Sequence, residues 1–259
     1  DRRTALALNP HVSGMAEDFP DQVADLQAWA SGLAHHGIVA HPRPPLDSER
    51  PDADHAGGDF GTAAGSAATA DRSPQVWILG SSDYGAQLAA HLGLPYAFAY
   101  FFMDGQGVEQ ALHLYRTLFR PSPRLPRPHA TICVWALAAD TEEEARFHAL
   151  SRERWRVDRM RGVLGPLQTP QAVADRGFRD DERYVVEPLR RRALVGSAAQ
   201  VAQRMRALAA ELQLDELVVN TWAHDPAVRR RSYALLAAEF DLLGRRRPEL
   251  DAAEPALAA

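Results

Sequence analysis

The sequence predicts an α/β protein in which parallel strands alternate with helices. Short, mostly apolar runs are each followed by apolar residues at helical spacing, which is the pattern of repeated strand–helix units. The apolar runs do not alternate with polar residues, as expected for parallel strands covered on both faces. The chain has 259 residues, a length that suits one α/β barrel or two smaller domains.

Two segments precede the regular pattern. Residues 1–40 are predicted to be a helical segment, in which Asp18 and Pro20 mark a helix start and apolar residues recur from Val23. Residues 41–74 are rich in Pro, Gly and Ala. Such a composition buries too little apolar surface to offset the entropy of ordering, so we expect a flexible insertion.

Residues 75–243 carry the strand–helix pattern. Parallel strands are predicted at 76–80, 96–102, 130–138 and 216–221. These strands are expected to form an arc and not a closed barrel, because a closed barrel needs more of them. Between the last two strands, a short helix at 170–176 is predicted in addition to the helices that begin at Thr141 and Ser197. Residues 244–259 are charged or small and are expected to be a disordered tail.

Capping residues indicate where the helices begin and end. Thr141 opens one helix, Ser197 and Gln200 form a capping box at another, and Asp225 precedes the last. Gly93 occupies the usual place of a left-handed residue after a helix.

Composition narrows the function classes. The formal net charge is −5 and all basic residues are Arg, so neither nucleic acid nor an anionic membrane is indicated as a partner. Cys133 is the single cysteine, which excludes a disulfide within the chain and a zinc site built from cysteines. With no signal-peptide pattern and no apolar run near the roughly 18 residues that span a bilayer, we expect a cytoplasmic protein.

The strand–turn–helix from Val76 to Pro95 carries the main chemical signal. An apolar strand ends at Gly80 and passes through Ser81 and Ser82 directly into a helix. Free helix N–H groups and two hydroxyls at the carboxyl end of a parallel strand form a potential anion site. The same residues also suit a simple helix cap, and local chemistry favours neither interpretation. The turn matches neither of the common glycine-rich nucleotide motifs.

Further segments accompany this turn in a characteristic order and spacing. They are Arg2–Ala5 with Phe19-Pro20, Pro74–Ser82, Ala86–Ala90, Gly93–Pro95, Leu194–Ser197, Asp215–Val219, and Asp225 with Arg229 and Ser232-Tyr233. Together they resemble the luciferase-like monooxygenase family, specifically the C-terminal part of its barrel. The resemblance covers nearly the whole chain apart from the insertion and the tail.

This resemblance implies a TIM-barrel topology, of which the chain holds the second half with about four parallel strands. It implies an FMN cofactor, or a deazaflavin in some branches, whose phosphate is approached by Gly80, Ser81 and Ser82. In that family reduced flavin reacts with O2 and a small organic substrate is oxygenated. The implied partners are a flavin reductase, O2 and the small-molecule substrate. Catalytic residues are expected in the first half of the barrel, which has no counterpart in this sequence.

Other residues are weaker candidates. Phe101, Phe102 and Met103 lie where the second predicted strand ends, and Trp222 follows the last one. These residues suit contact with a flavin ring or substrate, although aromatic residues at this face more often serve barrel packing. His224 lies at the same face and is a candidate acid–base group. No metal site is predicted, because His35, His36 and His41 have no acidic partner at metal-ligand spacing in the sequence.

Three functions are compatible with these observations. The first is a flavin-dependent monooxygenase, and the second is a non-catalytic or truncated fragment that binds flavin or phosphate. The third is an unrelated four-stranded phosphate-binding domain. A homo-oligomer is compatible with each of them.

Overall fold

The structure is a computed structural model that describes residues 2–8, 18–31, 34–40, 74–122 and 124–242. Apart from Pro74, the predicted insertion at 41–74 lies outside the described residues, as does the predicted tail at 244–259. No helix in the described part of the chain has both the length and the apolar character that crossing a membrane requires.

Helices and strands alternate along the chain from β1 onward. In chain order the elements are α1 (Arg2–Leu8), α2 (Phe19–Ala30), β1 (Ile78–Gly80), α3 (Asp83–Leu92), β2 (Tyr96–Phe98), α4 (Tyr100–Met103), α5 (Val108–Leu118), β3 (Ala130–Ala139), α6 (Glu142–Met160), α7 (Pro170–Arg176), α8 (Asp180–Arg192), β4 (Leu194–Ser197), α9 (Ala198–Glu211), β5 (Glu216–Asn220) and α10 (Pro226–Glu239).

The strands form one parallel sheet centred on β3. Strand β1 pairs with β2, β2 pairs with the start of β3, and β5 also pairs with β3. The predicted open arc of parallel strands is therefore confirmed among the described residues. The structure adds a fifth strand, since β4 pairs with the last four residues of β3. The sequence reading missed β4 because its four residues run straight into the capping box of α9.

Strand β2 is shorter than predicted. It ends at Phe98, and the following apolar residues form the short helix α4 instead of extending the strand to residue 102. The N–H of Ala99 donates to the carbonyl oxygen of Gly80, 2.8 Å away, where the chain leaves the sheet. A continuous apolar run does not distinguish a strand from a buried helix, which explains the error.

The central strand β3 is buried on both faces. Its even-numbered residues Ile132, Val134 and Ala136 join the core formed with α3, α5, α9 and α10. Its odd-numbered residues Trp135 and Leu137 join a second cluster on the opposite face. This burial confirms the prediction from its uninterrupted apolar sequence.

Side-chain hydrogen bonds fix helices α5 and α10 on the sheet. The Tyr115 hydroxyl donates to the carbonyl oxygen of Leu94 at 2.8 Å and accepts from the N–H of His129 at 3.1 Å. On α10, the Ser232 hydroxyl accepts from the N–H of Ala138 at 2.9 Å. These bonds satisfy buried backbone groups where strands meet helices.

Helices α6 and α8 are joined by a buried ion pair. Arg154 on α6 places Nη1 3.0 Å from Oε1 of Glu182 on α8, and both side chains are almost fully buried. The backbone N–H of Arg179 donates to the second oxygen of Glu182 at 3.0 Å. Burial raises the pKa of the Glu182 carboxyl, but these hydrogen bonds outweigh burial and bring it to about 2. Helix α8 was not predicted, because its many charges obscure the helical pattern.

Replacing Glu182 by Gln tests this ion pair. We expect Glu182→Gln to lower the free energy of unfolding at neutral pH by about 3 kcal/mol, because buried Arg154 loses one of its two carboxylate partners and keeps only Asp158. In the wild-type chain the lowered pKa of Glu182 means that the carboxylate stabilises the fold above its unfolded pKa of about 4.3. That contribution is lost as the pH falls from there toward the folded pKa.

Denaturant unfolding from neutral pH down through about pH 3 measures both effects. Asp180→Asn, on the exposed side of the same helix, is the control and should leave stability nearly unchanged. If the Glu182→Gln variant and the wild-type chain lost stability in parallel over this pH range, the ionised Glu182 carboxylate would not stabilise the fold as proposed.

Candidate functional site

A cavity of about 570 Å³ lies at the carboxyl ends of the parallel strands. This is the edge at which parallel α/β proteins bind their ligands. The lining is apolar and basic, and it contains Ser81, Phe101, Phe102, Trp135, Arg152, Trp155, Arg156, Arg159, Met160, Asn220 and Trp222.

The predicted phosphate residues lie at the turn between β1 and α3. Gly80 ends the strand, and both Ser81 and Ser82 are exposed. Ser82 has an extended backbone at the helix N-cap, yet its side chain makes no capping hydrogen bond within the described structure. The Tyr96 hydroxyl donates to the Ser82 carbonyl oxygen at 3.4 Å and so helps to fix the turn. The two serine hydroxyls thus face solvent beside the first N–H groups of α3.

Two glycines bring helix α3 close to the end of β1. A Cβ atom added at Gly80 would lie 3.5 Å from the Cα atom of Gly85. The first turn of α3 therefore starts beside the strand end, where its N–H groups favour an anion. Asp83 is the acidic residue of this first turn, and its negative charge opposes that preference.

Three arginines of α6 give the cavity its positive charge. Arg152, Arg156 and Arg159 recur at helical spacing and all line the cavity. Asp104 at the end of α4 approaches two of them, at 3.7 Å from Arg152 and 2.9 Å from Arg156. One carboxylate against three guanidinium groups leaves a net positive charge, which suits an anionic ligand.

Arg152 and Trp135 are the most buried polar side chains of the lining. The guanidinium of Arg152 lies 4.0 Å from the centre of the Trp135 ring, a cation–π contact. Burial lowers the pKa of Arg152 to about 10, although Asp104 opposes the shift. Trp135 Nε1 and Arg152 Nε are buried, and neither has a hydrogen-bond partner within the described residues. Both donors belong to residues that line the cavity.

The predicted ring-facing residues are placed as follows. Phe101 and Phe102 line the cavity from α4, and their ring centres are 4.4 Å apart. Trp222 follows β5 and meets Trp155 edge to face at 4.9 Å. Met103 lies in α4, and its side chain is outside the described residues.

His224 does not lie in the cavity lining. Its Nδ1 hydrogen-bonds the carbonyl oxygen of Leu167 at 3.0 Å, and the residue is exposed. Asp225 accepts a hydrogen bond from the N–H of Ala227 at 2.7 Å, which confirms it as the cap of α10. Burial raises the pKa of the Cys133 thiol, opposite to what a thiolate nucleophile needs.

The expectation that His35 and His36 have no acidic partner is wrong. Asp25 on α2 places Oδ1 2.8 Å from Nε2 of His35 and 3.5 Å from Nε2 of His36. Ten residues separate Asp25 from His35, so sequence spacing gave no indication of the contact. His41 lies outside the described residues.

Sequence reasoning also missed the arginines of α6. Arg152, Trp155, Arg156 and Arg159 share one helical face, and this spacing is the signal that could have found them. Arginine is abundant throughout the chain, and many arginines form exposed ion pairs, such as Arg231 with Asp140. The abundance of arginine in the chain therefore made the arginines that line the cavity hard to distinguish from the others.

Comparison with known proteins links this chain to one family. The sequence profile described as luciferase-like monooxygenase matches residues 29–216. The Escherichia coli (strain K12) protein named luciferase-like monooxygenase is 36% identical over 245 residues, which are 94% of this chain and 65% of that protein. The uncharacterized Bacillus subtilis (strain 168) protein YvbT is 31% identical over 92% of this chain and 63% of its own length. The chain thus spans a little under two thirds of the length of these relatives.

A solved structure supports the same assignment. Apo-MsnO8 has a TM-score of 0.66 and 27% identity over 87% of this chain and 60% of that one. The luciferase-like TIM-barrel topology expected from the resemblance is confirmed, with the described strands forming part of a barrel.

Asp104 is expected to hold the arginines of the cavity in place. Asp104→Asn keeps a residue that tolerates the positive φ of 48° found there. It removes the carboxylate that faces buried Arg152, so the free energy of unfolding should fall by about 2 kcal/mol. Thermal and denaturant unfolding measure the change.

Asp140→Asn is the matched control, because it breaks an ion pair that is exposed on both sides and should cost far less. Equal losses in the two variants would show that Asp104 has no special part in supporting the cavity.

Proposed function

The chain belongs to the luciferase-like monooxygenase family, and on this premise we propose that it carries part of a flavin-dependent monooxygenase site. In this proposal reduced FMN and O2 oxidise a small organic substrate. The observation that carries it is the Gly80-Ser81-Ser82 turn, whose uncapped helix N-terminus opens at the edge of the basic and aromatic cavity.

The residues of the turn suit a flavin phosphate. Exposed hydroxyls at Ser81 and Ser82 are hydrogen-bond donors, and the first N–H groups of α3 add donors and the positive end of the helix dipole. Because Gly80 and Gly85 have no side chains where they meet, no side chain at these positions separates the hydrogen-bond donors from the ligand. When bound, reduced flavin would supply the electrons that activate O2.

The cavity walls have separate roles in this proposal. The aromatic rings of Phe101, Phe102 and Trp222 form an apolar wall, which excludes water from a planar ligand or an apolar substrate. Arg152 and Arg156 supply positive charge that stabilises negative charge on bound ligand groups. Asn220, at the end of β5, offers a side-chain amide beside them.

The partners follow from the family in the same way. We infer that a separate flavin reductase supplies the reduced FMN, with a deazaflavin as the alternative cofactor. A cytoplasmic location agrees with a single cysteine and with the absence of a spanning helix from the described residues.

A second candidate function is binding of flavin or phosphate without catalysis. It is favoured by one observation, namely that no His, Asp or Glu is among the described residues that line the cavity. A site that transfers protons during catalysis ordinarily has such a group within reach.

Flavin titration tests the phosphate site. The chain is titrated with FMN and with riboflavin, which lacks the phosphate, while flavin fluorescence is recorded. We expect FMN to bind at least about tenfold more tightly, since charge-assisted hydrogen bonds to an anion contribute roughly 1.5–3 kcal/mol. The Ser81→Ala, Ser82→Ala double variant should lose most of this preference and keep the riboflavin affinity.

Equal affinities for FMN and riboflavin in the wild-type chain would remove the phosphate site from the proposal. Tighter binding of a deazaflavin cofactor than of FMN would select that alternative. Measurement of oxygen uptake with photoreduced FMN then separates the two functions. If the chain is non-catalytic, oxygen should be consumed only as fast as free reduced FMN consumes it.

Replacement of Asp83 provides a test in which FMN affinity should increase. Asp83→Asn removes a negative charge from the first turn of α3, so FMN affinity should rise by about two- to fivefold, corresponding to roughly 0.3–1 kcal/mol. Riboflavin affinity should not change, and the same titration measures both. A fall in FMN affinity would show that the phosphate does not bind at this helix end.

A further inference from the structure

Asp25, His35 and His36 form a cluster that shares no residue with the proposed flavin site, and we call it the Asp–His cluster. One ligand atom of each side chain lies within 4.8 Å of the others. Both histidine Nε2 atoms approach the same carboxylate oxygen, at 2.8 Å for His35 and 3.5 Å for His36. The cluster is partly sheltered, since His35 and Asp25 are each about a third exposed on their side chains.

A tight backbone turn presents the two histidines together. His35 and Ile38 exchange backbone hydrogen bonds of 3.0 and 2.9 Å across a two-residue turn. The turn residues His36 and Gly37 have φ values of 51° and 73°, the left-handed geometry of a tight hairpin turn. Gly adopts this conformation freely and His is among the residues enriched in it, so the turn tolerates an imidazole at position 36 without requiring one.

An ion pair explains only part of the cluster. Asp25 and His35 make a good hydrogen bond at 2.8 Å, which needs one histidine. The 3.5 Å distance from His36 is long for a hydrogen bond, and the His36 ring lies against that of His35 with centres 4.1 Å apart. Two imidazoles and one carboxylate oxygen therefore converge on one point, where a cation would engage all three.

We propose that the Asp–His cluster binds a divalent transition metal ion of the zinc type. Two imidazole nitrogens and a carboxylate oxygen are ligands that zinc accepts, whereas magnesium and calcium prefer oxygen alone. Bonds of about 2.0–2.1 Å in tetrahedral geometry place ligand atoms roughly 3.3 Å apart. The His36 distance already fits, and that of His35 needs to open by only about half an ångström. A fourth position remains for water or another ligand.

A supporting contact holds His35 in place. The indole N–H of Trp29 on α2 donates to the carbonyl oxygen of His35 at 3.3 Å, and the two rings are 6.2 Å apart edge to face. These contacts hold the backbone and the ring of His35 against α2. Because Asp25 also lies on α2, bound metal would join this helix to the turn, and α2 is attached to the core through buried Val23.

Metal titration of the whole chain tests the inference. Zn²⁺ binding is measured by calorimetry, and Co²⁺ serves as a spectroscopic probe of coordination by nitrogen and oxygen. We expect one Zn²⁺ per chain, no competition by Mg²⁺, and a higher melting temperature with Zn²⁺. Asp25→Asn and His36→Asn should each weaken Zn²⁺ binding by at least about tenfold. Mutation of residues that only hydrogen-bond to metal ligands already lowers metal affinity by about that factor.

The variants are chosen to preserve the fold. Asn tolerates the left-handed backbone at position 36, and Asp25→Asn keeps the size of the side chain. His113→Asn removes an exposed histidine from α5 and should bind Zn²⁺ as the wild-type chain does. No Zn²⁺ binding by the wild-type chain, or equal binding by the wild-type chain and both cluster variants, would overturn the proposal. Either result would leave the flavin titrations unaffected, since the two sites share no residue.

Discussion

The burial of β3 on both faces is the constraint on which the rest of the structure depends. This strand pairs with β2, β4 and β5, so it sets the position of every other strand except β1, which follows through β2. Its even-numbered residues build the core beneath the helices, and its odd-numbered residues build the cluster that includes Trp135 and Trp222. Its buried polar residue, Thr131, is accommodated because its hydroxyl donates to the carbonyl oxygen of Glu216 at 2.9 Å.

The cavity combines this apolar scaffold with buried positive charge. Arg152 is nearly inaccessible, and it is retained there by the Trp135 ring and by Asp104. A buried guanidinium is costly unless it is paired, and here Asp104 and the Trp135 ring are the partners that offset this cost. At the β1–α3 turn, the contact between Gly80 and Gly85 packs the first turn of the helix beside the strand end.

Local patterns were sufficient for most of the secondary structure. The ends of α3, α9 and α10 follow from Gly93, Ser197 and Asp225, because a cap is a contact between residues only a few positions apart. The parallel arrangement also followed, since apolar strands alternating with helices have few other solutions. The errors occurred where the local pattern was ambiguous, at the short strand β4, at the end of β2 and at the highly charged helix α8.

The sequence by itself determined the strand–helix order, the family resemblance and the turn at Gly80-Ser81-Ser82. Only the tertiary structure decided which side chains that are distant in sequence lie close together. Arg152 and Trp222 line one cavity although 70 positions separate them, and Asp25 meets His35 across a turn. Hydrophobic periodicity fixes which face of an element is buried. The partner of that face depends on packing between elements, which no spacing along the chain records.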